Sequence, residues 1–259
     1  MPKLRFLGTG DSQGVPRWWC TCNICKEARA SKKNMRTRPS VLIEGKQRTL
    51  IDVAPELRLQ MTREDIKDID TVLITHAHND HILGLGDVAD RARWTQKTTP
   101  VFTPAEIVPQ LQERFPYFQR GNYPGLLPVQ ALTDKRTIET YKVTHFKVPH
   151  GANGFAYAFR FANPGASWVY MPDSLGVKDI DFLKNLDLLI LGTSFYKEDA
   201  PYERRSVYDI TEALELLKVI KPRQTLFTHL GHGVDVRKAL PEGVNASYAF
   251  DGLQIDLPL

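Results

Sequence analysis

The sequence predicts an α/β fold in which helices cover β-sheets, and three observations support this prediction. Short runs rich in β-branched or aromatic residues recur along the 259-residue chain, and turn residues bound each run. Helical patterns lie between these runs, an order typical of layered sheets and helices. No internal repeat, low-complexity tract or long linker interrupts the chain, so we expect a single domain over residues 1–259.

The predicted strands are short and are bounded by turn residues; they are Lys3–Leu7, Val41–Glu44, Thr49–Val53, Thr71–Thr75, Val101–Thr103, Thr137–Thr144, Gly154–Phe161, Ser167–Met171, Leu186–Leu191, Gln224–Thr228 and Ala246–Phe250. The predicted helices between them are Asn23–Ser31, Glu56–Thr62, His81–Trp94, Glu106–Phe115 and Val177–Asn185. A further helix opens at Asp209, where Asp209 and Glu212 form a capping-box pattern, and ends before Pro222.

Composition and charge limit the classes of protein without choosing among them. Hydrophobic residues make up 42% and charged residues 25% of the chain, the balance of an ordinary folded protein. The first residues lack the apolar core of a signal peptide and no apolar run is long enough to span a membrane, so we expect a cytoplasmic protein without a membrane partner. The net charge of +4 is too mild to indicate nucleic acid, and the basic stretch Lys26–Arg38 is interpreted as a solvated helix face and loop. The oligomeric state stays open, with a homodimer among the alternatives.

The segment from His76 to His81 carries the strongest chemical signal in the sequence. His76, His78, Asp80 and His81 follow directly after the apolar strand predicted at Thr71–Thr75. Imidazole nitrogens and carboxylate oxygens are the ligands that zinc and manganese accept. Surface histidines beside a helix-capping aspartate are the competing interpretation, but three of only seven histidines crowd into six positions here. The segment therefore predicts metal binding, with two ions about 3.5–4 Å apart able to activate a water for hydrolysis.

Further ligands are predicted at the ends of later strand-like runs. His150, Asp173 and His229 each follow such a run, and strand ends that face a common edge often build catalytic centres in α/β folds. Each residue alone has an alternative as a capping aspartate or a hydrogen-bonded core histidine. Together with the first segment, they favour a two-metal centre.

Three cysteines, Cys20, Cys22 and Cys25, lie within six residues. They are too closely spaced for a disulfide framework, and three clustered thiols are typical of a metal site. The alternative is a set of buried or free thiols without an ion. A tetrahedral zinc site would need a fourth ligand.

The pattern His76-x-His78-x-Asp80-His81, followed by His150, Asp173 and His229, resembles the signature of the metallo-β-lactamase superfamily. Leu50-Ile51-Asp52 resembles the superfamily's earlier strand that ends in a structural aspartate. The resemblance implies a four-layered αββα sandwich with the metal site at one edge. It also implies the ligand sets: His76, His78 and His150 for one ion, Asp80, His81 and His229 for the other, and Asp173 between them.

The opening segment Leu7–Pro16 and the cysteines that follow resemble the phosphoribosyl 1,2-cyclic phosphate phosphodiesterase family of bacterial phosphonate breakdown. This resemblance implies a structural zinc held by Cys20, Cys22, Cys25 and His232. It also implies two catalytic manganese or zinc ions, with Asp80 and Asp173 taking part in catalysis. The implied substrate is a small phosphodiester, cyclic in that family, attacked by a hydroxide that bridges the ions.

One feature of that family is absent from this sequence. The family has a further histidine, ahead of a late helix, that acts as general acid, and the matching segment Arg204–Asp209 contains none. We therefore expect either a different substrate or a different proton donor, such as Tyr196, Tyr202 or Tyr208. Basic residues that could bind a phosphate are Arg17, Arg204 and Arg205.

Other activities stay open at this point. A lactone or thioester hydrolase would use the same fold and metals. Processing of tRNA ends is disfavoured because no long basic insertion could grip the RNA. A non-catalytic coenzyme-biosynthesis accessory protein is disfavoured because the catalytic ligand positions are all filled.

Overall fold

The computed structural model describes all 259 residues and contains two seven-stranded sheets. The first sheet has the order β14-β1-β2-β3-β4-β5-β6. Its strands are β1 Lys3–Gly8, β2 Ser40–Glu44, β3 Arg48–Ile51, β4 Thr71–Leu73, β5 Val101–Thr103, β6 Val129–Ala131 and β14 Gln254–Asp256. Pairing is antiparallel from β14 to β3 and parallel from β3 to β6.

The second sheet has the order β13-β12-β11-β10-β9-β8-β7. Its strands are β7 Thr137–Ile138, β8 Tyr141–Pro149, β9 Phe155–Ala162, β10 Ser167–Met171, β11 Leu188–Gly192, β12 Gln224–Thr228 and β13 Ala246–Tyr248. Strands β10 to β13 are parallel and β7 to β10 are antiparallel. As a result β8, β10 and β12 run in one direction and end at the same edge.

The helices are α1 Asn23–Ala30, α2 Leu57–Arg63, α3 Asn79–Ile82, α4 Leu85–Thr95, α5 Val108–Arg114 and α6 Ile210–Ile220. Short 3-10 turns occupy Pro116–Gln119, Gly151–Asn153, Asp181–Leu183 and Tyr202–Arg204. None of the helices is long and apolar enough to cross a membrane.

Three buried clusters account for the layers. The middle cluster joins the inner faces of both sheets and includes Phe6, Ile43 and the stacked pair Phe161 and Trp168, whose rings are 3.9 Å apart. A second cluster packs α2, α4 and α5 on the first sheet, and a third packs α6 on the second sheet. Apolar burial on both faces of each sheet therefore produces the αββα sandwich, and the predicted fold class is confirmed.

The predicted start of α6 is confirmed. The side chain of Asp209 accepts a hydrogen bond from the backbone nitrogen of Glu212, and the Glu212 carboxylate accepts one from the Asp209 nitrogen. These bonds satisfy amides that the first turn of a helix leaves free. The helix ends at Ile220, two residues before Pro222.

The helix predicted at Val177–Asn185 is wrong. This segment has only the 3-10 turn Asp181–Leu183, because the Asp179 carboxylate accepts the amide of Asp181 and holds a turn instead. Phe182 and Leu183 are buried in the third cluster, Val177 and Ile180 pack partly buried against it, and Phe182 stacks on Phe146 at 4.5 Å.

Other boundaries also differ from the predictions. The helix predicted at His81–Trp94 is two helices, because the Gly84 amide donates to the Val53 carbonyl oxygen instead of to the preceding turn of helix. The strand predicted at Thr137–Thr144 is a hairpin of β7 and β8, with Glu139 in the left-handed region at φ 54°. The short strands β6 and β14 were not predicted, since their exposed residues have little apolar pattern.

Candidate metal centres

The predicted catalytic ligands lie together at the edge where several strands end. His150 follows β8, Asp173 lies two residues after β10, and His229 follows β12. His76 lies three residues after β4 in the other sheet, which places the group across the junction of the two sheets. The edge therefore gathers ligands from both halves of the chain.

The first group consists of His76, His78, His150 and Asp173, whose ligand atoms all lie within 4.8 Å of one another. His78 Nδ1 is 2.9 Å from His76 Nε2 and 3.3 Å from His150 Nε2. Asp173 Oδ2 is 3.7 Å from His76 Nε2 and 3.3 Å from His150 Nε2. Two atoms that bind one ion tetrahedrally at about 2.1 Å are about 3.4 Å apart, so these separations suit a common ion.

The second group consists of Asp80, His81 and His229, again with ligand atoms within 4.8 Å. Asp80 Oδ2 is 3.1 Å from His81 Nε2 and 3.3 Å from His229 Nε2. Asp173 Oδ1 is 3.4 Å from His81 Nε2 and 3.3 Å from His229 Nε2. The two oxygens of Asp173 therefore face different groups, which is the geometry of a bridging carboxylate.

Two buried atoms in this centre have no hydrogen-bond partner. They are His81 Nε2 and Asp173 Oδ1, which lie 3.4 Å apart without forming a hydrogen bond. Unpaired buried polar atoms are costly, and a cation between a neutral imidazole nitrogen and a carboxylate oxygen would satisfy both. The donor set of nitrogen and oxygen atoms thus fits a pair of zinc or manganese ions.

Hydrogen bonds fix the orientation of the imidazole rings. Asp52 Oδ2 is 2.8 Å from His81 Nδ1, and the Ser206 carbonyl oxygen is 2.6 Å from His150 Nδ1. Such partners hold the Nδ1 proton and turn the Nε2 lone pair toward the centre. Asp52 and His229 both have left-handed backbones, at φ 58° and 56°. Glycine adopts this conformation without strain, whereas an aspartate or a histidine is strained in it. Backbone strain of this kind is typical of functional sites.

The electrostatics of the centre favour the metal-binding forms of His76, His78 and Asp80, whereas against the opposing effect of burial Asp80 raises the pKa of His81 and Asp173 raises that of His229. Burial lowers the pKa of His76 and of His78, and neighbouring imidazoles add to the effect. Burial would raise the pKa of Asp80, but the charge of His81 and a hydrogen bond from His229 hold that pKa well below its usual range. Neutral imidazole and ionised carboxylate are the forms that bind a divalent ion.

The four residues of the predicted zinc site, Cys20, Cys22, Cys25 and His232, lie close together near the start of α1. The Nδ1 atom of His232 is 3.3 Å from the sulfur of Cys20 and 3.6 Å from those of Cys22 and Cys25. Burial raises the pKa of the Cys25 thiol to about 11, so a thiolate there needs a nearby cation. Three sulfurs and one nitrogen at these separations fit a tetrahedral zinc ion.

The basic stretch Lys26–Arg38 is only partly the solvated surface that was expected. Its lysines are exposed, but Arg36 is buried and donates to the carbonyl oxygens of Leu230, Gly231 and Val234. This arginine therefore anchors the loop that carries His229 and His232.

A cleft of about 150 Å³ opens on the two groups of candidate ligands. Arg17 lines it, with Nη2 3.0 Å from Asp11 Oδ2 and a buried Nε that has no hydrogen-bond partner. Arg205 cannot bind a phosphate as suggested, because Glu198, Asp209 and Glu212 surround its guanidinium. Arg204 is exposed and does not line the cleft.

The tyrosines considered as proton donors lie outside the cleft. Tyr196 and Tyr202 are 38% and 52% exposed, and neither lines its wall. Tyr208 is buried and its hydroxyl accepts the amide of Val177 at 2.7 Å. None of the three tyrosines is therefore placed to protonate a leaving group in this cleft.

The sequence did not predict several residues that lie at the site. Ser194 Oγ is 3.5 Å from His229 Nδ1, and Asn153 Nδ2 is 3.4 Å from His150 Nε2. Glu198 lines the cleft beside them. The order of these residues along the chain has no diagnostic spacing, although Ser194 does follow the end of β11.

Comparison with known families gives one match. The family described as the β-lactamase superfamily domain matches residues 47–230, which cover both predicted groups of catalytic ligands. The cysteine cluster lies before this region and His232 just after it.

Individual proteins resemble the chain over nearly its whole length. A crystal structure of a diphosphatase from the PhnP family is 28% identical, with a TM-score of 0.85 over 100% of this chain and 99% of that one. Zinc-bound PqqB from Methylobacterium extorquens shares the fold at 19% identity and a TM-score of 0.79, covering 98% of this chain and all of that one. The octanoyltransferase of Porphyromonas gingivalis is 26% identical over 96% of this chain, which spans only 50% of that protein's length.

Proposed function

The chain belongs to the metallo-β-lactamase superfamily, and from this premise we propose that it is a phosphodiesterase with two catalytic metal ions. The observation that carries the proposal is the position of Asp173, whose two oxygens face separate groups of ligands at the base of a cleft. Two metal sites that share one carboxylate are typical of hydrolases that attack phosphoryl groups.

The proposed ligands are those that the geometry groups together. His76, His78 and His150 would hold one ion, Asp80, His81 and His229 would hold the other, and Asp173 would contribute one oxygen to each. Zinc or manganese fits this donor set. When bound, the ions lower the pKa of a water and neutralise charge that develops on the phosphoryl oxygens. A separate zinc held by Cys20, Cys22, Cys25 and His232 is structural.

The remaining residues of the cleft position the substrate. The unpaired Nε of Arg17 can donate to a phosphoryl oxygen, while its Nη2 stays bound to Asp11. Asp80 and Asp173 line the cleft, where their carboxylates would hold the ions that activate an attacking water. The small cleft favours a small-molecule phosphodiester over a nucleic acid.

A second candidate substrate is a diphosphate, because the PhnP-family protein with a similar structure is a diphosphatase. Its P–O–P linkage presents the same phosphoryl centre to the metal pair. The two candidates differ in the leaving group, which is a phosphate in one and an alcohol in the other.

Hydrolysis of bis(4-nitrophenyl) phosphate in the presence of added Mn²⁺ tests the proposal. We expect activity in the unsubstituted protein and a loss of at least about 100-fold in His78→Ala, since a metal ligand is removed. His145→Ala is the matched control, because His145 lies in β8 outside both metal sites and contacts Tyr157.

Full activity in His78→Ala would contradict the proposal. So would a lack of phosphodiester hydrolysis combined with cleavage of an acyl lactone, which would instead indicate the lactonase alternative. A parallel assay with a nucleoside diphosphate distinguishes the diphosphate candidate.

A further inference from the structure

Next to the cleft, three carboxylates surround one buried guanidinium. Arg205 Nε is 3.2 Å from Glu198 Oε2, and its Nη1 is 2.9 Å from Glu212 Oε1. Asp209 Oδ2 lies 3.5 Å from Arg205 Nη2. Three negative groups around one positive group leave an excess negative charge in a partly buried place, and this repulsion makes it easier for one carboxylate to take up a proton.

The hydrogen bonds to each carboxylate determine which of the three takes up a proton most easily. Asp209 accepts from the Thr211 hydroxyl at 2.7 Å and from the amides of Glu212 and Glu198 at 2.8 and 3.0 Å. These bonds outweigh burial and lower the pKa of Asp209. Glu212 pairs with both terminal nitrogens of Arg205 and accepts the Asp209 amide.

Glu198 has fewer partners than either neighbour. Its carboxylate accepts only from Arg205 Nε, through Oε2, which leaves Oε1 free. Burial raises the pKa of Glu198, and Asp209 and Glu212 raise it further against the opposing effect of Arg205. Of the three carboxylates, Glu198 is therefore the one whose surroundings most favour uptake of a proton.

Glu198 lies where a proton on its carboxyl group can reach a substrate in the cleft. Glu198 lines the same cleft as the candidate ligands His150 and Asp173. Ser206 and Val207, which follow Arg205, line that cleft too. The Glu198 carboxyl thus lines the space in which a leaving group would depart.

We propose that Glu198 is the proton donor to the leaving oxygen, with Arg205 as the residue that positions it. The inference rests on the proposed hydrolysis. The oxygen of the attacking water bonds to phosphorus and its proton goes to solvent. The bond from phosphorus to the leaving oxygen breaks, its electron pair stays on that oxygen, and the oxygen takes the carboxyl proton of Glu198. A proton from solvent then restores Glu198.

Other acidic groups of the cleft are less suited to this role. Asp11 accepts from Arg17 at 3.0 Å through Oδ2 and from the Gln13 amide at 3.1 Å through Oδ1, so both of its oxygens are engaged as acceptors. Asp80 and Asp173 face the candidate metal sites.

A series of substrates with different leaving groups tests the inference. Bis(4-nitrophenyl) phosphate releases a stable anion that needs no proton, whereas diphenyl phosphate releases a more basic one. In Glu198→Gln we expect kcat for diphenyl phosphate to fall by about 100-fold or more, and kcat for the nitrophenyl ester to change by less than about threefold. The glutamine keeps an acceptor for Arg205 Nε, and thermal unfolding checks that the variant is folded.

The pH dependence gives a second readout. Because the protonated carboxyl is the active form, hydrolysis of diphenyl phosphate falls as pH rises above the pKa of Glu198, and Glu198→Gln removes this alkaline limb. Glu203→Gln is the matched control, since Glu203 is exposed on the neighbouring turn and does not line the cleft.

The outcomes separate the two proposals. If the unsubstituted protein hydrolyses neither ester, the proposed phosphodiesterase function fails. If it is active and Glu198→Gln lowers both rates equally, or leaves both unchanged, the role of Glu198 is overturned.

Discussion

Replacement of Asp52 by asparagine should weaken the metal centre without a direct change to any ligand. Asp52 is fully buried and accepts from the Thr75 amide at 2.8 Å and from His81 Nδ1 at 2.8 Å. Asparagine has one acceptor oxygen, so its amide group must face one of these two donors. A buried donor without a partner costs about 1–3 kcal/mol.

The same substitution should lower metal affinity, because the carboxylate orients His81 and raises its basicity. Loss of such a partner costs about 10- to 100-fold in affinity, or about 1.4–2.7 kcal/mol. Asparagine tolerates the left-handed backbone of Asp52 at φ 58°, so backbone strain adds little.

Metal titration of the metal-free protein, followed by calorimetry, measures the affinity, and urea unfolding measures the stability. Asp134→Asn is the control, since Asp134 is exposed on a loop. Unchanged affinity in Asp52→Asn would refute the role assigned to this aspartate.

Three further predictions concern the zinc site, a tyrosine and the cap of α6. His232→Ala should remove about one zinc ion per chain and lower the melting temperature, because three thiolates lose their fourth ligand; unchanged zinc content in elemental analysis would contradict this. Tyr202→Phe should leave kcat and KM unchanged in steady-state assays, since Tyr202 lies outside the cleft; a marked fall in kcat would reverse that placement. Asp209→Ala should cost about 1 kcal/mol of unfolding free energy at pH 7 through loss of the cap. Burial raises the pKa of Asp209, but hydrogen bonds from Thr211 and Glu212 outweigh it, so the folded-state pKa is lowered. Its contribution is therefore present above the unfolded-state pKa of about 3.9 and is lost as pH falls through the folded-state pKa. Urea unfolding at pH 7 and pH 3 should show the cost shrinking, and an equal cost at both would argue against a charged cap.

The sequence predicted the parts of the fold that depend on local patterns. Buried strands such as Leu188–Gly192 and the capped helix Ile210–Ile220 have strong apolar periodicity and clear end signals. The αββα arrangement followed from resemblance, because the pairing of distant strands cannot be read from periodicity. The helix predicted at Val177–Asn185 was wrong because a local Asx turn outweighed the helical pattern of the segment.

The candidate ligands could be predicted because each adjoins a strand end or a dense histidine motif. Their supporting residues could not, since Ser194 and the Ser206 carbonyl reach the site only through tertiary contacts. The roles of the arginines likewise depend on tertiary contacts. Sequence cannot distinguish Arg17, which lines the cleft, from Arg205, whose charge is engaged by carboxylates.

Elemental analysis of the protein purified without added metal tests the two-metal centre most directly. We expect about three ions per chain in the unsubstituted protein, two in the catalytic centre and one zinc at the cysteines. His232→Ala should retain about two ions, which remain sensitive to Asp173→Ala. A content of about one ion per chain that disappears when His232 is replaced would contradict the account, because the histidines and aspartates of the cleft would then hold no metal.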